Sequence, residues 1–160
     1  MGQGLMRRVA AITSVALCFA STAEAATPIC FKSAEIEAEQ AILFQTKLMV
    51  MSDVCSNQSY RSFTVRNREV IVSYQRQMIE HFRRVGGSGK PETAFDRYMT
   101  KLANEASLNT GTLPVSDVCS DTGPGARLIS TADKLDKDSF RKMMSSAAAT
   151  EKAHYRACKE

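Results

Sequence analysis

The sequence predicts an all-α domain, an antiparallel four-helix bundle-like fold tied by two disulfides. Three observations predict it. Apolar residues recur at three- and four-residue steps along most of the chain. Glycine and proline gather between those stretches, at 86–91 and 111–125. No stretch of useful length alternates with the two-residue period of a strand. The 160 residues suit one domain, and 44% hydrophobic with 24% charged residues is a globular balance. That balance excludes a disordered chain, a collagen and a multi-span membrane protein. A net charge of +4 does not by itself imply nucleic acid.

Residues 1–25 read as a secretory signal peptide, which leaves residues 26–160 as a single disulfide-stapled helical domain. Arg7 and Arg8 supply the positive region, and Val9 to Ala20 the apolar run. Small residues at Ala23 and Ala25 set cleavage after Ala25. The apolar run falls short of the ~20 residues that a membrane span needs. Leu17 stands where a lipoprotein signal has a small residue, which argues against a lipid anchor on Cys18. Four cysteines then remain: Cys30, Cys55, Cys119 and Cys158. An even number in an exported chain predicts two disulfides, and the absence of CxxC spacing argues against zinc.

The first helix is expected over Ser33–Val54, with Ser33 as N-cap and Glu35 and Glu37 at the positive end of its dipole. Ala41, Phe44, Leu48, Met51 and Cys55 form one stripe, and Ile36, Leu43 and Val50 a second, which predicts a central helix with neighbours on two sides. A second helix is expected as one piece over Tyr60–Val85, with Phe63, Val70, Tyr74, Met78 and Phe82 inward and glycines after its end. Pro91 opens a third, with Phe95, Tyr98, Met99, Leu102 and Ala106 inward. Thr110–Gly125 reads as irregular, followed by a short helical turn over Arg127–Ala132. The last helix is expected from Asp138; if it runs to the end, Phe140, Met143, Met144, Ala147, His154 and Cys158 share one side.

Geometry selects one disulfide pairing of three. Cys30 and Cys55 flank a helix of about 33 Å, whereas a disulfide needs Cα atoms within about 7 Å. Short connectors make successive helices antiparallel. Cys119 then returns to the pole of Cys55, and the last helix carries Cys158 back to the pole of Cys30. The expected bridges are Cys55–Cys119 and Cys30–Cys158.

No catalytic constellation emerges, so no enzyme, cofactor or metal is expected. His81 is expected as a packed histidine on the apolar side of the second helix, and His154 stands too close to an oxidised Cys158 to ligate well. The two histidines lack HxxxH or ExxH spacing, and no CxxCH offers haem attachment. Met49, Met51, Met143 and Met144 invite Cu(I), but adjacent and alternate residues on a helix diverge and methionine commonly fills core gaps. GxSxG and SxxK are missing, and Gly86 to Lys90 lacks a P-loop pattern.

The second helix carries the most informative surface. Val65, Val72 and Ile79 recur every seven residues opposite its main core stripe, with Arg61, Arg68, Arg76 and Arg83 beside them. Residues 57–90 hold seven Lys/Arg against two Glu. Such a stripe suits an acidic envelope protein, a membrane surface or a second copy of the chain. The simpler expectation is that the last helix covers it and the arginines are solvated. Nucleic acid is not expected, because interleaved exposed aromatics are missing.

Gln45–Val50 with Cys55, Tyr60 and Phe63, and Phe95 with Tyr98–Ser107 and Cys119, resemble a group of small exported helical proteins from alphaproteobacteria. The resemblance covers about residues 30–119. It implies a Gram-negative periplasmic or secreted setting and no assigned activity. The expected function is that of an exported, non-enzymatic cell-envelope structural or binding protein. The alternative is a small-ligand carrier or enzyme with a site inside the bundle. For that alternative, Gln40, Lys47 and Asn67 interrupt apolar stripes and would line a pocket above ~300 Å³.

Overall fold

The computed structural model describes residues 29–86 and 89–158; the signal-peptide reading lies outside them. Helix α1, Ser33–Val54, is the axis of the fold. Two inward stripes bury Ile36, Ala38, Ala41, Ile42, Leu48 and Val50, and α1 accordingly has neighbours all round. Its N-cap is Lys32 and not Ser33: the Glu35 carboxylate accepts the Lys32 N–H at 2.8 Å and takes the capping role expected of the serine.

The expected second helix is two helices, α2 at Ser59–Arg66 and α3 at Arg68–Val85. Asn67 separates them, with backbone angles of −106° and 13°. Its fully buried amide donates to Phe63 O at 3.1 Å and to Leu135 O at 3.2 Å. The side chain thus competes for a helical carbonyl and ties the break to a distant loop.

Helix α4, Pro91–Thr110, begins at the expected proline. The stretch expected to be irregular instead contains α5, Val115–Cys119, and the start of α6, Pro124–Asp133. Both helices have proline at the N-cap or first position, where its missing N–H costs nothing. Gly123 lies between them under close backbone: a Cβ there would sit 2.3 Å from the carbonyl oxygens of Asp117 and Val118.

Helix α7 spans Lys137–Glu151. Its cap is Asp136, which accepts the Ser139 N–H at 2.8 Å, and not Asp138. The helix also stops earlier than expected, passing into a 3-10 turn at Lys152–His154. The chain then extends, and Phe31 pairs with Ala157 as an isolated bridge. His154 and Cys158 therefore do not continue the face of Phe140 and Met144.

Helices α1, α2–α3, α4 and α6–α7 form the four legs of the bundle. Phe63, Phe140 and Tyr74 meet edge to face, with centroids 5.0 Å and 5.9 Å apart, and join α2, α3 and α7 over α1. The two bridges are Cys30–Cys158 and Cys55–Cys119, one at each end of α1, with Cα separations of 4.8 and 5.5 Å. Both are the pairs expected from the up-and-down path.

Candidate binding surface

The stripe residues of the second leg fall on both sides of the break at Asn67. Arg61 and Val65 lie on α2; Arg68, Val72, Arg76, Ile79 and Arg83 follow on α3 at steps of three and four. Val65 is 74% exposed and Val72 42% exposed. The last helix does not cover them: α7 packs on α1 and reaches α3 from beneath, through Phe140 against Tyr74. Ile79 departs from this pattern, being half-buried against the core.

The arginines also divide. Arg83 pairs with Glu80 and lies 3.7 Å from Glu92. Arg61, Arg68 and Arg76 are exposed and have no acidic partner within 4.0 Å among the described residues. The acids of the same leg are engaged elsewhere, Glu69 with Lys137 at 2.5 Å and Glu80 with Arg83. What remains outward is three unpaired cations with two valines between them.

The opposite face of α3 holds a buried polar cluster. Glu35, only 6% exposed, lies 2.5 Å from Arg84 and 3.1 Å from Nδ1 of His81. Burial pushes the Glu35 carboxyl up, but the Lys32 N–H, Arg84 and His81 together outweigh it and hold its pKa below the ordinary value. His81 is 2% exposed and stacks on Phe31 at 4.3 Å, which closes it to any substrate. Arg84 also donates to Cys30 O at 2.9 Å. The cluster docks α3 to the Cys30–Cys158 pole. Two phenols reach α1 beside it: Tyr74 donates to Glu37 at 2.7 Å and Tyr98 to Glu39 at 2.6 Å. Burial, and then these carboxylates, push both phenol pKa values up.

The structure does not bring together the three inward polar residues expected to mark an internal site. Gln40 donates to the Tyr155 hydroxyl at 3.0 Å, Asn67 is occupied at the α2–α3 break, and Lys47 is exposed beside a smaller hollow of about 240 Å³. A larger hollow, about 580 Å³, lies instead at the Cys55–Cys119 pole. Met49, Val50, Val54, Tyr60, Leu113 and Val118 line it. Sequence reasoning missed this hollow, because its walls come from α1, α2, α4, α5 and the loop between α4 and α5.

Of the methionines raised for copper, Met144 is buried in the core, Met143 packs against it, Met49 lines the larger hollow and Met51 the smaller one. Among the described residues no three His, Cys, Asp or Glu side chains gather as a metal site. Comparison with protein-family models, curated proteins and solved structures found no match.

Proposed function

We propose that this chain is an exported, non-enzymatic protein of the cell envelope that binds a partner through the Arg61–Arg76 face of α2–α3. The observation that carries this reading is the exposure of Val65 and Val72 between three arginines that have no acid of their own. An apolar strip flanked by unpaired cations gains both burial and charge pairing when an acidic surface meets it. Two disulfides belong to an oxidising compartment. No helix of the described residues is long and apolar enough to cross a membrane.

The test is site-specific photocrosslinking from Val65 and Val72 in the intact envelope, with Lys142 on α7 as the control position. Discrete adducts from the two valines are expected, identified by mass spectrometry as one partner, and lost when Arg68→Glu and Arg76→Glu are combined. Adducts equal to those from Lys142, or untouched by charge reversal, would contradict the reading.

A further inference from the structure

The hollow at the Cys55–Cys119 pole and the cationic stripe share a residue. Arg61 lines the hollow and is also the first arginine of the stripe. The two features are therefore one continuous surface, concave and apolar at one end, cationic along the rest.

The polar groups of the hollow are largely partnered within the chain. Ser52 Oγ accepts the Tyr60 N–H at 3.0 Å, Thr110 Oγ1 donates to Ala106 O at 2.8 Å, and Asn57 Oδ1 accepts the Ser59 N–H at 2.9 Å. What else faces a guest is mostly apolar wall, together with Ser107 and the charges of Arg61 and Asp53. Leu113 and Val115 on the rim are 47% and 59% exposed. Asp53 and Arg61 oppose each other in charge within the hollow, so its apolar wall suits an uncharged group, and acids of a partner run from Arg61 away along α2–α3.

Building on the binding role proposed above, we infer that the occupant is an acidic helical segment of another protein. It places one apolar side chain in the hollow and its carboxylates along Arg61, Arg68 and Arg76. The arginines are seven and eight positions apart, close to two helical turns; Arg61 stands on α2, and Arg68 and Arg76 lie about 12 Å apart along α3. A facing helix with acids seven apart matches that spacing, and the small valines between the arginines let its backbone approach closely. A lipid surface fits less well. Interfacial faces insert Trp, Phe or Leu along their length, whereas the stripe offers two valines, and the exposed Leu113 stands at the rim of the hollow. A concave hollow also takes a projecting side chain, which a peptide supplies.

The test pans a displayed library of random peptides, about 16 residues long to span the stripe, against the oxidised chain at physiological salt. Enriched sequences are expected to carry acids seven apart and a large apolar residue towards one end. Val115→Asp, Leu113→Gln and Arg61→Glu are each expected to weaken such a peptide about tenfold or more. Val115, Leu113 and Arg61 are exposed, and circular dichroism of the variants checks that the fold is kept. If the Arg68→Glu, Arg76→Glu pair abolishes binding while Val115→Asp and Leu113→Gln leave it alone, the anchoring hollow is refuted and the stripe reading stands. If no peptide of this pattern is enriched, or none of the variants changes binding, both are refuted. Stronger binding to phosphatidylglycerol vesicles than to any peptide, retained by Val115→Asp, would give the surface to a membrane and overturn the inference.

Discussion

Glu35 carries three interactions from one buried carboxylate: its own helix cap, an ion pair with Arg84 and a hydrogen bond with His81. Its pKa is held below the ordinary 4.5 in the folded chain. The stabilisation it supplies is therefore complete above pH 4.5 and is lost as pH falls through the depressed folded value. Glu35→Gln removes the charge and leaves Arg84 short of its partner, at a cost of roughly 2 kcal/mol near neutrality. Thermal melts from neutral pH downward are expected to show the wild type losing stability below about pH 4.5 and converging on a flatter Glu35→Gln profile. Parallel profiles would contradict the account. The glutamate itself was legible as a first-turn acid. Its partners were not, because His81 and Arg84 reach it across 46 and 49 positions of sequence.

At the scale of elements, the helical periodicity exposed the four legs and the outward stripe, yet concealed the break in the second. The three-and-four spacing runs unbroken from Arg61 to Arg83, so nothing in the pattern marks Asn67 as a boundary. The signal that existed was a lone asparagine on an inward face. Its two acceptors, one on α2 and one in the loop before α7, became visible only when the legs were packed. Arg66 reinforces the same junction by donating to Leu135 O and Ala132 O, both at 2.8 Å, at the end of α6. Asn67→Ala deletes two buried side-chain hydrogen bonds, while Leu135 O keeps Arg66 and Phe63 O keeps the backbone N–H of residue 67, a loss of about 1 kcal/mol. Urea unfolding is expected to show a lower midpoint at unchanged slope. An unaltered midpoint would mean that the break is set by something other than this side chain.

Across the whole molecule, the cysteines carried most of the legible information. Their even number after removal of the signal segment, set against the length of α1, excluded Cys30–Cys55. The alternating direction of the legs then chose between the remaining pairings. Closing loops of 128 and 64 residues stabilises by about 4 to 5 kcal/mol each when reckoned separately from chain entropy. That is a large share of the stability of a small domain, although the core itself holds large side chains such as Ile42, Leu48, Phe63, Phe95 and Phe140 beside Ala38, Ala41, Ala132, Met78 and Met144. The hollow at the Cys55–Cys119 pole was not legible, since it forms only where the ends of several elements gather. The described chain is thus a helical bundle locked at both ends, with its outward stripe lying between the locks. Non-reducing peptide mapping of the protein recovered from an envelope fraction tests this most directly. The account predicts a chain beginning at Ala26, with Cys30 joined to Cys158 and Cys55 to Cys119. Free thiols on a chain that keeps residues 1–25, or Cys30 joined to Cys119, would contradict it.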